Sequence, residues 1–254
     1  MSTYSQSLLP RRSSVPKARS VLKPPERPIA LRCEYITDTK TVLTLNPQGD
    51  SNSSKAYKIL DNEGAVVFTV TGWKFSNRSC REFRDASGLP LFELHRNWFK
   101  FRHKWCVTLP GVEPGSSSAS SSSGSGFGDG SCNGGVLATG SHRIRALGYK
   151  PFGGFSIGIE RNAAAADSKK EDDKKLSLEI EKYGNVLALF DVVDGDRKVA
   201  QVRESIEHNE RLALISSRAD YRPVLDVIVT PGVDLSLIAI IAVIASDSVF
   251  TANV

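Results

Sequence analysis

The stretch VDLSLIAIIAVIASD, residues 233–247, constrains this chain more than any other. Leu235 to Ala245 are apolar except for Ser236, and Asp234 stands where it can cap a helix. A helix that is apolar on every side has to be buried all round. A membrane span would satisfy that demand but fails on length. The 12 residues between Asp234 and Asp247 rise about 18 Å, against a hydrocarbon core of about 30 Å. Protein must therefore surround the helix. The expectation is a helix threaded through a β-barrel too wide to be filled by its own strand side chains. Ile and Val also favour strands, so a buried strand stands as the alternative.

The rest of the chain supplies strands. Asp61-Asn62-Glu63-Gly64 precedes Phe68 and Val70, and Asp85-Ala86-Ser87-Gly88 precedes Phe92 and Leu94 at the same offsets. Each unit reads as a turn opened by an aspartate hydrogen bond, closed by a glycine at positive φ and followed by an alternating strand. A looser copy is Asp194-Gly195-Asp196. Strands are expected at 42–45, 57–60, 66–70, 91–95, 99–109, 155–159, 176–180, 187–192, 198–203 and 224–229, in an antiparallel meander.

Composition fixes the boundaries. With 254 residues, 40% of them hydrophobic, the chain has material for a large core. Of its net charge of +5, all falls in residues 1–30, where Arg11, Arg12, Lys17, Arg19, Lys23 and Arg27 face Glu26 alone. That segment is rich in Pro and Ser and is expected to be a flexible basic arm. Residues 31–254 are expected to form one domain, with a Ser/Gly-rich disordered insertion at 112–138 and a charged loop at 162–175. The four cysteines are widely spaced with no CxxC pair, so neither a zinc site nor a disulfide framework is expected. No apolar leader opens the chain, and a cytoplasmic location follows as the expectation.

Three features then carry a resemblance: Gly-x-x-Val-Phe-x-Val-x-Gly at Gly64 to Gly72, Asp-x-x-Gly-x-Pro-Leu at Asp85 to Leu91 leading to His103 and Trp105, and Pro-Gly-Val-Asp before the apolar helix. In that order they resemble the LURP-one-related family of the tubby C-terminal-like superfamily, to which phospholipid scramblases are related. The resemblance covers roughly residues 33–110 and 140–250. It implies a mainly β fold, a 12-stranded antiparallel tubby-like barrel enclosing a central hydrophobic C-terminal helix. It also points toward phosphoinositide binding, as in tubby-like domains.

The residues themselves offer one candidate surface. Read as a single strand, Arg96, Trp98, Lys100, Arg102 and Lys104 share one face and Phe99, Phe101, His103 and Trp105 the other. Four cations and an indole could hold an anionic headgroup at a membrane interface, with Arg11, Arg12, Lys17, Arg19 and Lys23 of the arm as auxiliaries. An ordinary solvated barrel face is the plainer account. Arg11-Arg12-Ser13-Ser14 resembles a basophilic kinase site, where phosphate would cancel part of the arm's charge. Asp191, Asp194 and Asp196 lack the spacing of a calcium loop. The four histidines show no ligand spacing, and neither a GxSxG elbow nor HExxH occurs. No catalytic residue, metal or cofactor is expected. The expected function is non-enzymatic, peripheral binding of phosphoinositide or another anionic lipid, with the inner face of the plasma membrane as the expected site. The alternatives are an intracellular protein-interaction scaffold without lipid binding and a scramblase-like membrane-associated protein. Without a recognition helix or RNP-like strand, no specific nucleic acid is expected.

Overall fold

Strand after strand runs antiparallel to its predecessor until the last meets the first. The computed structural model describes residues 21–48, 56–72, 80–99, 102–112, 136–142, 155–160, 175–182, 190–209 and 223–250. It contains β1 (Thr41–Gln48), β2 (Ala56–Leu60), β3 (Val66–Val70), β4 (Cys80–Asp85), β5 (Pro90–Phe99), β6 (Arg102–Thr108), β7 (Val136–His142), β8 (Phe155–Glu160), β9 (Lys175–Lys182), β10 (Phe190–Asp194), β11 (Arg197–Glu204) and β12 (Leu225–Val229). Among the described residues two α-helices accompany them, α1 (Ile206–Asn209) and α2 (Leu235–Phe250), with a 3-10 turn at Cys33–Tyr35. Each strand pairs with its neighbours in sequence, and β1 pairs with β12 from Thr41↔Val229 to Leu45↔Leu225, closing a 12-stranded barrel.

The plug is a helix, as its capping residue argues. Leu237, Ile238, Ile240, Ile241, Val243 and Ile244 are at most 1% exposed, inside the closed sheet. Each such side chain contributes roughly 1.5–3 kcal/mol by leaving water. Inward residues such as Leu43, Ile59, Phe68, Phe92, Ile157, Leu178, Val202 and Val227 complete one core with α2. No described helix is long and apolar enough to cross a membrane.

The repeated turns match each other atom for atom. Asp61 Oδ1 accepts from the amides of Glu63 at 2.8 Å and Ala65 at 2.9 Å. Asp85 Oδ1 accepts from those of Ser87 and Leu89, both at 2.9 Å. Gly64 and Gly88 sit at φ 82° and 87°, a conformation that glycine adopts without a Cβ penalty.

Four boundaries differ from expectation. Neither β4 nor β7 is among the expected strands. β7 takes Val136 to Ala138 from the expected insertion, and Leu137 and Ala138 join the core. Residues 21–30, expected in the flexible arm, lie on the barrel: Lys23 donates its amide to the Lys198 carbonyl at 2.9 Å, Ile29 donates to Gly232 at 3.0 Å, and Ile29 is 1% exposed. Finally, the expected strand 99–109 is cut. β5 ends at Phe99 and β6 begins at Arg102, with Phe99 paired to Arg102 and Arg96 to Trp105, so the chain reverses between them.

Candidate functional site

Reversal after Phe99 regroups the expected cationic face. Directly opposed residues of an antiparallel pair share a sheet face. Register sets Arg96 against Trp105 and Trp98 against His103, but Arg102 against Phe99 and Lys104 against Asn97. The five positions therefore do not form one face. A two-residue reversal changes the parity of the count, so Arg96 and Trp98 fall on the opposite side from Arg102 and Lys104. Lys100 lies outside the described residues.

Arg96 belongs to the barrel interior. It is half-buried, and its guanidinium carbon sits 5.5 Å from the centroid of the Trp105 ring, which is 2% exposed. Such a cation–π contact stabilises most where water is excluded. Burial lowers the Arg96 pKa from its ordinary value; the Asp247 carboxylate opposes that shift and the Arg81 charge adds to it.

The helix ends nearby in an arrangement that the sequence did not disclose. Arg81 on β4 is fully buried, and its Nη2 lies 2.9 Å from Asp247 Oδ2 and 3.2 Å from Oδ1. Tyr57 on β2 donates its hydroxyl to Asp247 Oδ1 at 2.9 Å. The Arg81 guanidinium lies 5.4 Å from the Tyr57 ring centroid and donates to the Thr71 carbonyl at 3.3 Å. Two signals in the sequence could have marked its members singly. Alternation in Cys80–Asp85 sets Arg81 on the inward side with Phe83, and Asp247 ends the apolar run.

The arm meets the other end of the barrel. Lys23, an exposed residue, is bonded through its backbone beside the start of β11, whereas the β5–β6 reversal lies by the C-terminus of α2. Arg11, Arg12, Lys17 and Arg19 lie outside the described residues. Arg197 holds the segment down through Glu26 at 2.6 Å and the Pro24 carbonyl at 3.2 Å. Val21, Leu22 and Pro24 roof a recess of about 360 Å³ whose floor includes Lys198 and Thr230. The Lys198 ammonium is committed to Asp191 at 3.1 Å. Asp191 is thus an ion-pair partner on the barrel wall, apart from the Asp194–Arg197 hairpin pairing. Among the described residues no group of three His, Cys, Asp or Glu side chains could hold a metal.

A family model described as LURP-one-related matches residues 41–146. Over that span the chain is similar to this family. The matched span opens on the first residue of β1 and reaches past β7, so it includes Arg81 and the whole β5–β6 pair. An X-ray structure of a protein from Arabidopsis thaliana is similar at 16% identity with a TM-score of 0.49, covering 86% of this chain and 97% of that one. No curated protein matches. The two ends of the barrel differ: one carries the N-terminal segment and the start of α2, the other the β5–β6 reversal and the Arg81–Asp247 pair.

Proposed function

We propose that the protein is a non-enzymatic, peripheral binder of anionic phospholipid headgroups, with phosphoinositide among the candidates, at the cytoplasmic face of a membrane. The observation that carries the reading is the sequence Trp98-Phe99-Lys100-Phe101-Arg102-His103-Lys104 at one reversal of a closed barrel. Aromatic side chains favour the headgroup region, and each Lys or Arg near an anionic leaflet contributes about 1 kcal/mol. Backbone register divides these residues between two faces, which suits a hairpin tip that meets a surface on both sides better than a flat strand wall. Lys100, Arg102 and Lys104 supply the charge, Trp98 the interfacial anchor, and Arg96 supports Trp105 from within.

The N-terminal twenty residues act as a tether. Counted from Val21, Arg12 and Arg11 lie nine and ten residues along the chain and reach about 30–35 Å when extended, while an eight-residue strand spans about 27 Å, so these two can serve the same bilayer from the far end and Lys17 and Arg19 cannot. Flotation with phosphatidylcholine vesicles, alone or with phosphatidylserine or phosphoinositide, tests the reading. Recovery with anionic vesicles should be lost in a folded Lys100→Glu, Arg102→Glu, Lys104→Glu variant and weakened by salt. Equal recovery of variant and wild type would overturn the site. Lipid-independent capture of a protein partner, with no flotation, would favour a scaffold.

A further inference from the structure

At the end where α2 begins, β11 outruns its neighbour. It starts at Arg197, whereas β12 ends at Val229, the partner of Ala200. Pro231 has no amide with which to continue the ladder, and Gly232, at φ 82°, turns the chain toward α2. Arg197 and Lys198 therefore lie beside the segment 21–28 instead of a strand. Leu22 forms a parallel bridge with Lys198, and the Lys23 amide donates to the Lys198 carbonyl at 2.9 Å. One bridge covers less than a strand does. The recess of about 360 Å³ is the space left between this strap, β11 and the residues Lys40 and Thr230 that flank the β1–β12 pair.

Two lysines and no acid line the recess. Lys198 is buried and committed to Asp191, and Arg197 beside it is committed to Glu26. The Thr230 hydroxyl donates to the Val199 carbonyl at 2.8 Å. Two donors remain. Among the described residues, the Lys40 ammonium and the Gln201 carboxamide have neither a hydrogen-bond nor an ion-pair partner, and both line this recess. Val21, Leu22, Pro24 and Pro231 supply hydrocarbon around them. An apolar wall with a few convergent polar groups, enclosing about 300–1,000 Å³, is the pattern of a small-molecule site. The ammonium selects an anion, the amide N–H a second acceptor atom, and the wall an apolar body. A phosphate dianion would be left half-neutralised, because the other two cations are already paired. We propose that the recess binds a small organic carboxylate with a short apolar chain, its oxygens on Lys40 and Gln201 and its chain beneath the strap. The roof can yield while the fold holds. Val21 is 63% exposed, and Pro24, Pro25 and Pro28 donate no amide. Firm attachment begins at Ile29, a buried residue whose carbonyl accepts from the Asp234 amide at 2.9 Å.

The test uses the full chain and calorimetry, with octanoate as the probe, 1-octanol as the same chain without charge and acetate as the charge without the chain. Octanoate should bind at one site, at least about tenfold more tightly than either. Lys40→Met should weaken octanoate by at least about tenfold and leave octanol unchanged, and Gln201→Leu should weaken octanoate by about threefold or more. Lys58→Met on β2, an exposed lysine outside the recess, should change its affinity by less than about twofold. Thermal melts check that each variant is folded. Amide NMR spectra of the wild type need no variant: octanoate should move the signals of Leu22, Gln201 and Thr230 and leave those of Asp61 and Glu63 in place. Wild-type affinity in Lys40→Met, signals that move only elsewhere, or no binding of octanoate would each overturn the site. Equal affinity for octanol would overturn the assignment of an anion. The recess and the β5–β6 tip lie at opposite ends of the barrel, so failure here leaves the lipid reading standing, and failure of flotation leaves this site standing.

Discussion

Both ends of α2 are fixed by a buried aspartate, and the two are held by different physics. Asp234 caps the start. Its Oδ1 accepts from the Ser236 amide at 2.7 Å, the Ser236 hydroxyl at 2.6 Å and the Leu237 amide at 3.3 Å. Its Oδ2 accepts from the amides of Leu31 and Arg32, both at 2.9 Å. A negative charge there also agrees with the helix dipole. Asp247 stands near the C-terminus, where the dipole opposes a carboxylate, and is held by Arg81 and Tyr57. Uncharged donors hold the favourably placed carboxylate, whereas the unfavourably placed one requires a full opposite charge. The pair at Asp247 is therefore the more fragile to single substitution.

Arg81→Met should be the most damaging change. It leaves Asp247 buried without its cation, at a cost of about 3–5 kcal/mol read by urea denaturation, while Arg81→Met/Asp247→Leu should recover most of that loss. Equal instability of both variants would show that the pair contributes more than mutual compensation.

Asp234→Ala should cost about 1–2 kcal/mol as a lost cap and should speed proteolysis within residues 21–37, because the same carboxylate holds Leu31 and Arg32. An Asp247 variant of equal stability should leave that segment protected. Smaller again is Tyr57→Phe, at about 1 kcal/mol for one hydrogen bond.

Acid titration separates the groups further. Burial pushes the Asp234 carboxyl above its ordinary value, with hydrogen bonds from Ser236, Arg32 and Leu31 pulling against it. Its ionisation therefore disfavours the fold, and its contribution declines as pH rises from the unfolded carboxylate range through the folded pKa. Asp85 is the reverse: hydrogen bonding from Ser87, then backbone donors, lowers its pKa. That stabilisation is present above the unfolded value and lost as pH falls through the folded one. Relative to wild type, Asp85→Asn should lose its deficit on acidification, and Asp234→Asn should show a growing deficit. The smallest effect should come from Lys100→Glu, Arg102→Glu, Lys104→Glu, which should alter stability by no more than about 0.5 kcal/mol per site.

The plug and the aspartate–glycine turns were legible because each rests on a local rule: an apolar run that must be buried, and a side chain that closes its own turn. β4 was hidden because Cys80–Asp85 carries Arg81, Glu82, Arg84 and Asp85, so charge masks an alternation that in fact sends Arg81 inward. The β5–β6 reversal was hidden for a related reason. Aromatic and cationic residues alternate straight across 99–104 with no Gly, Asn, Asp or Pro to mark a turn. Register thus divides between two faces the residues that the sequence pattern places on one. Arg81, Asp247 and Tyr57 come from positions up to 190 apart in the chain, a proximity that no single-sequence period encodes.

Closure of β1 on β12, followed by insertion of α2, also sets an order of events during synthesis. Until β12 and α2 leave the ribosome, the nascent chain has eleven strands, an open seam at Thr41–Gln48 and a hollow lined with Phe, Ile and Leu. Such a trough is an aggregation hazard and slow to resolve, because its decisive contacts join the first and last elements of the barrel. A stop codon before Leu235 would retain all twelve strands but leave the barrel without its filling, and the product should be held by chaperones or degraded.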